Sequence, residues 1–374
     1  MIKFTIERAL LLKSLAHVQS VVERRQTIPI LSNVLLQSSD ENGGTLTLRA
    51  TDNELEICDK VQASVEQAGT ITVSAHKLYD IAKKLPDGAQ VECSYVEDTA
   101  QLMVVSGRSR FALPTISGEG YPVMPIEDAA VSFSVTTENL KSLIERTQFA
   151  MSTEETRYNL NGIYWHVTKG DKKVLKAAAT DGHRLATAEI ALPEGADSMV
   201  GVIIPRKTIS ELTKLLAETD QDVTISVSEN QIRFSFGDVV LASRLIDGTY
   251  PEYEKVIPEG NNKFLEVDSN ALTTVVDRVA VISEKSRGIK LSLKQGCVVV
   301  TSSNADEGTA EDELEAGYDA DPIEIGFNFR YLLDILAQIK SGTVRFSLSE
   351  NTSPVLIQDA GDDTALYVLM PMRV

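Results

Sequence analysis

Apolar positions along this chain follow two periods in turn, every second residue and every third or fourth, and the same succession occurs three times. Each round opens on a strand-like segment headed by Phe4, Phe133 or Phe264. It runs into a stretch of helical spacing: Leu11/Leu15/Val18/Val22, Leu140/Ile144/Met151 and Leu272/Val276/Val279. Such stripes are what an amphipathic helix turns toward a core. About sixty to seventy residues later a second helical stripe follows: Leu78/Ile81/Ala82/Leu85, Ile209/Leu212/Leu216 and Leu332/Ile335/Leu336/Ile339. Each second helix leads through a polar break into an alternating segment at 91–96, 223–228 and 344–349, the period of a half-buried strand. Equivalent points stand 121 to 132 residues apart. That spacing exceeds the ~20–50 residues of a solenoid repeat and suits a whole domain.

The joints between rounds carry matching prolines. Tyr121-Pro122 and Tyr250-Pro251 lie 129 residues apart, each followed by a second proline, and proline imposes extended backbone while halting helices. Short alternating segments separated by Gly, Asp and Asn fill the rest of each round, as in Thr45–Ala50 and Gln231–Phe236. Each unit thus reads as two helices plus about eight strands, an α+β domain. The predicted boundaries are 1–126, 127–257 and 258–374.

Net charge is −18, with 36 Lys and Arg against 54 Asp and Glu. A polyanionic partner would ordinarily be excluded on that balance, yet its distribution changes the picture. The six predicted helical stretches (8–25, 74–86, 137–151, 205–219, 267–283 and 327–341) together carry +6, which leaves −24 elsewhere in the −18 chain. Helices tolerate Lys and Arg well, which accounts for part of the excess. Basic residues also gather at the starts of the second helices, at His76-Lys77, Arg206-Lys207 and Arg330. The helix dipole favours acids there, so these positions point to an external anion. No apolar run approaches the ~18 residues of a membrane span, and Met1–Arg8 reads as a strand rather than a leader. Cys58, Cys93 and Cys297 are odd in number and lack CxxC spacing, so buried free thiols in a cytoplasmic protein are expected.

Catalytic signatures are scarce. Gly-Lys never occurs, which excludes a P-loop, and neither HExxH nor GxSxG is present. Asp319-Ala-Asp321 could hold metal ions for phosphoryl transfer. It closes the run 306–321, however, which has eight carboxylates and no Lys or Arg, the composition of a solvated or partner-facing acidic loop. Thr180-Asp-Gly-His-Arg-Leu185 offers His183 as a base with Asp181 as its orienter, but no nucleophile motif accompanies it and Asp-Gly favours a turn. The matching segments are Ala50-Thr-Asp-Asn-Glu-Leu55 and Thr301-Ser-Ser-Asn-Ala-Asp306. Thr-Asp is shared by two rounds, whereas Gly-His-Arg-Leu belongs to the middle one alone, which suggests a task for that domain.

Arg157–Gly162, Ala179–Ala186, Ile204–Lys207, Tyr250–Tyr253, Gly326–Asn328 and Tyr367–Arg373 together resemble the bacterial DNA polymerase III beta-subunit family, the sliding clamps, and the likeness spans the whole chain. The resemblance implies a non-catalytic, cofactor-free and metal-free subunit. It would form a head-to-tail homodimer ring of six domains, with helices lining the hole and sheets outside. Duplex DNA would pass through it without sequence preference. A pocket between the second and third domains would receive the polymerase alpha subunit, the clamp loader and other proteins carrying the clamp-binding motif. By position the pocket comprises Leu160, Thr180, Gly182, His183, Arg184, Leu185, Pro251, Lys255, Val256, Val368, Met370, Pro371, Met372, Arg373 and Val374, the last standing where leucine is more usual. DNA-facing candidates are Arg25, His76, Lys77, Arg206 and Lys207, with Glu154 where some relatives carry an amide. Lys77, Arg108, Arg110, Phe111, Val281, Ile282, Glu307, Glu311, Asp312 and Glu313 fall at the subunit joint. A nuclease built on Asp319 and Asp321, a hydrolase built on His183, and a peptide-binding scaffold that never encircles DNA are the alternatives.

Overall fold

The computed structural model describes residues 2–373 except 26, 171, 172 and 284. The first round contains β1 (Lys3–Glu7), α1 (Arg8–Gln19), β2 (Asn33–Ser39), β3 (Thr45–Thr51), β4 (Leu55–Gln62), β5 (Ser64–Gln67), β6 (Gly69–Ser74), α2 (Ala75–Lys84), β7 (Gln90–Val96), β8 (Gln101–Ser106) and β9 (Ser109–Ser117). The second contains β10 (Val131–Val135), α3 (Thr137–Gln148), β11 (Gly162–Val167), β12 (Val174–Thr180), β13 (Arg184–Ala191), β14 (Val202–Pro205), α4 (Arg206–Leu216), β15 (Val223–Val227), β16 (Gln231–Phe236) and β17 (Val239–Arg244). The third contains β18 (Lys263–Asp268), α5 (Ser269–Ala280), β19 (Gly288–Lys294), β20 (Cys297–Asn304), β21 (Gly308–Glu315), β22 (Ile323–Asn328), α6 (Phe329–Leu336), β23 (Thr343–Leu348), β24 (Val355–Asp359) and β25 (Asp362–Leu369).

The helices form where the stripes predict. α1 buries Leu11, Leu15 and Val18, and α6 buries Phe329, Leu332, Ile335 and Leu336. Asp268 caps α5 by accepting from the Ala271 N–H at 2.7 Å, and Asn328 caps α6 through the Arg330 N–H at 3.0 Å, each meeting one orphan donor of a first turn. The predicted stretch 8–25 overruns α1. Val21 and Val22 are buried, but their N–H groups reach Val18 and Gln19, three residues back. The apolar pattern therefore continues through a tightened, non-α turn.

Two compact units divide the chain, 1–137 with 210–245 and 138–209 with 246–374. The first holds one sheet in the order β10-β15-β16-β17-β4-β3-β2-β6-β9-β8-β7-β1-β5. Its continuity runs from the middle round into the first through β17 and β4, paired antiparallel from Val239↔Asp59 to Ser243↔Leu55. The second holds β14-β11-β12-β13-β25-β24-β23-β18 and a separate sheet β21-β20-β19-β22. There β13 and β25 join the middle round to the third, from Arg184↔Leu369 to Ala188↔Ala365. The middle round thus shares one of its sheets with each neighbour.

Three further expectations are corrected. Half of the run 306–321, Gly308–Glu315, is the strand β21 rather than a loop. Its exposure alternates, with Glu311, Glu313 and Glu315 exposed and Ala310, Asp312 and Leu314 half-buried, so composition hid a period of two. Phe264 does not match Phe4 and Phe133: they are buried, whereas Phe264 is 53% exposed and Leu265 and Val267 fill the core. A one-residue shift of register turns every side chain of a strand over. The three cysteines are unpaired, with Cys93 buried and its thiol pushed up to about 12 by desolvation. Cys58 and Cys297 are half-buried rather than buried.

Candidate functional site

The Thr180–Arg184 hairpin is built from side chain to backbone. Thr180 Oγ1 accepts from the Gly182 N–H at 3.1 Å and donates to the Arg184 carbonyl at 2.7 Å. Asp181 Oδ1 accepts from the His183 and Arg184 N–H groups at 2.9 and 3.1 Å. Thr51 and Asp52 make the same turn in the first round, with bonds to Asn53, Glu54 and Leu55 of 2.7–3.0 Å. Its third position needs a left-handed backbone, met by Gly182 at φ +87° and by Asn53 at φ +78°. Asp181 is thus a turn carboxylate and does not orient the His183 ring. That ring stacks on Tyr331 at 6.1 Å, so the catalytic reading of this motif has no geometric support.

Strand alternation then sends Arg184 and Leu185 to opposite faces of β13. Leu185 enters an apolar cluster with Leu160, Ala178, Ile203, Tyr250, Tyr253 and Val368, rimmed by half-buried Tyr164, Ile246, Ile257, Leu356 and Leu366. Tyr250 and Tyr164 stack at 4.8 Å, and Tyr164 stacks on His166 at 5.0 Å. His166 Nε2 lies 2.7 Å from the Tyr253 hydroxyl, and burial holds this imidazole below its usual pKa. Exposed apolar side chains lie among the predicted residues: Val256 at 53%, Met370 at 42% and Met372 at 36%. The tail is pinned by bonds from the Met370 N–H to the His183 carbonyl and from the Met372 N–H to the Gly326 carbonyl, at 3.0 and 2.9 Å. Pro371 is half-buried, and Pro251, Lys255 and Arg373 are exposed, Lys255 paired with Glu252. Val374 lies outside the described residues. The structure therefore brings Leu160, Leu185 and Val368 together and adds aromatic residues that sequence reasoning missed. Tyr250 and Tyr253 lie in a segment that carries the resemblance and at a predicted joint, yet neither is among the predicted pocket residues.

On the other face, Arg184 is committed. Nε meets Asp181 at 3.0 Å, Nη1 meets Asp334 at 2.5 Å, and Nη2 donates to the Phe149 carbonyl at 2.6 Å. Its guanidinium carbon lies 4.3 Å from the Tyr331 ring centroid and 5.1 Å from that of Phe149. Arg206 shares this polar cleft and donates to the Met151 carbonyl and, at 2.7 Å, to that of Ser152. Desolvation, then the charge of Arg184, lowers its pKa. Glu154 pairs with Arg157 at 3.2 Å.

The DNA candidates divide in the same way. Arg25 and Lys77 are exposed and Lys207 is half-buried. His76 is tied to the end of α1, with Nε2 2.9 Å from the Val22 carbonyl and Nδ1 2.9 Å from Gln19 Oε1.

Two strand edges carry opposite charge. The β8–β9 hairpin presents exposed Arg108 and Arg110 beside half-buried Phe111. β9 pairs with β6 only over Thr115–Ser117, so among the described residues 109–114 have a partner on one side alone. β21 ends its sheet. Glu311 and Glu313 are exposed there, Asp312 is bound by Arg278, and Glu307 lies 3.3 Å from Lys285. Val281 nearby is 65% exposed and Ile282 is half-buried. Asp319 and Asp321 are both exposed. Among the described residues no three His, Cys, Asp or Glu side chains are grouped to hold a metal ion. No described helix is long and apolar enough to cross a membrane.

Comparison with known proteins covers the chain end to end. Family models for the N-terminal, central and C-terminal domains of the DNA polymerase III beta subunit match residues 2–125, 134–252 and 254–373. The beta sliding clamp of Caulobacter vibrioides is 49% identical over 374 residues, all of both chains. That of Escherichia coli is 38% identical, again over the full length of both. Among solved structures, a Caulobacter crescentus beta sliding clamp matches with a TM-score of 0.97 at 48% identity, covering 100% of this chain and 99% of that one. The Bartonella birtlesii clamp bound to griselimycin matches with a TM-score of 0.96 at 47% identity, covering 100% of both.

Proposed function

The chain belongs to the DNA polymerase III beta-subunit family, the sliding clamps, and from that membership we propose how its own residues divide the work. The function is that of a clamp: a non-catalytic, head-to-tail homodimer that encircles duplex DNA and tethers the replicative polymerase and the clamp loader. The observation that carries it is the full-length match to all three domain models. The boundaries 1–126, 127–257 and 258–374 are assigned to the three domains, and the cytoplasm to the place of action.

Arg25 and Lys77 are the foremost phosphate contacts, since their side chains are exposed. A ring holds DNA by linkage, so scattered cations that contact phosphates weakly and without regard to sequence are sufficient. Arg206 and His76 act mainly within the fold, because Arg206 Nη2 already donates to the Met151 and Ser152 carbonyls and both His76 ring nitrogens have internal partners. The partner peptide docks on the cluster around Leu185, Tyr250 and Val368, beside exposed Val256, Met370 and Met372. Micromolar affinity corresponds to about −8 kcal/mol, and a few buried anchors supply most of such a total. The subunit joint sets the Arg108/Arg110 edge of β9 against Glu311 and Glu313 of a second copy's β21. Pairing two open edges of opposite charge covers both.

The test is retention. Loaded on closed circular DNA the protein stays, and linearising the circle releases it. Equal lifetimes on circular and linear DNA would refute encirclement.

A further inference from the structure

The first helices of the three rounds, α1, α3 and α5, are each 12 residues long, and the tenth residue of each is a basic side chain in contact with at least one carboxylate. In α3 it is Arg146, whose guanidinium donates to Asp362 Oδ2 at 2.6 Å and to Thr364 Oγ1 at 2.7 Å. In α5 it is Arg278, bound to Asp312, the fifth residue of β21. In α1 it is His17. Nδ1 of its buried ring lies 2.7 Å from Asp59, the fifth residue of β4, and Nε2 lies 3.1 Å from Glu218, just beyond α4. The contact to Glu218 joins the first round to the middle one, as the Arg146–Asp362 pair joins the middle to the third.

An imidazole is shorter than a guanidinium, and the difference is visible. Asp362 follows Gly361 in the third round as Asp238 follows Gly237 in the second. Arg146 reaches Asp362, whereas His17 stops at Asp59 and Glu218 and leaves a cavity of about 320 Å³ that Asp238 also lines. Lys13 of α1 and Lys60 of β4 line it too. On α4 the nearby charges are Glu211, which accepts from Ser20 Oγ at 2.5 Å, and Lys214, which pairs with Glu211 at 2.7 Å.

A carboxylate can only accept, so ionised Asp59 and Glu218 together require an N–H on both ring nitrogens. A neutral ring has one. We propose that His17 is a proton-operated latch between the first and middle domains. Protonated, it binds Asp59 and Glu218 together; deprotonated, it keeps buried Asp59 and releases half-exposed Glu218, while the arginine-held joint stays shut. Burial opposes the charged ring, but the hydrogen bonds and charges of Asp59 and then Glu218 outweigh it, and the pKa is raised above the usual 6.5. The latch is therefore complete below that value and is lost as pH rises through the raised one. That this compliance would ease opening of a ring rests on the clamp reading; the proton linkage does not.

The experiment follows the four histidines by imidazole NMR in the full-length protein, His17 being assigned with His17→Arg, which restores the residue type of the other two rounds. It adds backbone amide exchange near pH 6 and near pH 8.5, corrected for intrinsic rates. The expected result is a His17 midpoint above the ordinary value, lowered in Glu218→Gln. Protection over 15–22 and 210–219 should fall about tenfold at the higher pH in the parent, the scale of one charge-assisted bond to a half-exposed partner, and should not fall in His17→Arg or Glu218→Gln. A His17 midpoint at or below the ordinary value would overturn the latch, as would equal pH dependence in parent and variants. Should exchange behave as expected while circular DNA is not retained, the clamp reading fails and the latch stands.

Discussion

Replacing Arg184 with Met separates stability from docking, because the side chains of Arg184 and Leu185 leave β13 on opposite faces. Methionine keeps much of the buried aliphatic stem but removes three donors, those facing Asp181, Asp334 and the Phe149 carbonyl. A hydrogen bond to a charged group contributes about 1.5–3 kcal/mol net. The Asp334 carboxylate is 46% exposed, so its share falls toward the roughly 0–1 kcal/mol of a surface pair. Asp181 is only 14% exposed, yet it retains its two turn bonds. The Phe149 carbonyl is left without this donor. Together these give a loss of about 3 kcal/mol. For a unit of about 200 residues that corresponds to a fall in melting temperature of roughly 6–12 °C. Calorimetry reads this loss, and titration of a clamp-binding peptide at low temperature reads docking. Peptide affinity should change less than about threefold, since the guanidinium lies away from the apolar cluster. A melting temperature within a degree of the parent would show that the charged contacts contribute nothing net. Binding abolished in a fully folded variant would place Arg184 in direct contact with the partner.

Further outcomes follow from the same structure. Arg108→Glu with Arg110→Glu should sediment as a monomer, and an unchanged dimer would remove the charge argument for the joint. Leu185→Ala empties a site that is 2% exposed, so it should lose about 2–5 kcal/mol of stability and on the order of 2 kcal/mol of peptide affinity. Deleting 372–374 should weaken the peptide with dimer mass intact, and undiminished binding would put the pocket elsewhere. Arg25→Ala and Lys77→Ala should each flatten the log–log salt dependence of DNA binding by about one unit, whereas Arg206→Ala should lower stability and leave that slope unchanged.

Much of this architecture was legible because its signals are local and repeated. Two helical stripes and a following alternating strand mark each round, and all six helices form where the stripes lie. The Thr-Asp turn shared by the first two rounds is the same hydrogen-bonded loop in both. What stayed hidden depends on partners distant in sequence. The helical pattern could not show that Val21 and Val22 leave the α-helix, because tertiary burial satisfies their side chains either way. Acid content concealed the strand at Gly308–Glu315, whose unpaired edge is visible only once β20 is seen on its other side. Within Gly-His-Arg-Leu, the strand's period of two sends Arg184 and Leu185 to opposite faces of β13, which the motif alone does not show. Tyr250 and Tyr253 looked like punctuation because prolines surround them, and only the fold carries their rings onto Leu185.

Three copies of one frame also supply an internal control, since what recurs between copies serves the frame and what one copy alters needs its own explanation. The turn at Asp52 and Asp181 is shared, so the carboxylate belongs to the fold. Glycine in place of Asn53 at the left-handed position, followed by His183 and Leu185, distinguishes the copy that carries the peptide cluster. Exposed Glu311 and Glu313 on β21 distinguish the copy that ends on an open edge. A histidine where the sister helices carry Arg146 and Arg278 distinguishes, among the described residues, an inter-domain joint whose charge can change near neutral pH. Each departure falls where a clamp must do something its other copies do not: receive a partner, close on a second subunit, or yield. By this logic the His17→Arg chain should keep fold, dimer and peptide binding and lose only the pH response of its first joint. Loss of fold or dimer in that variant would show that the histidine is required by the frame itself.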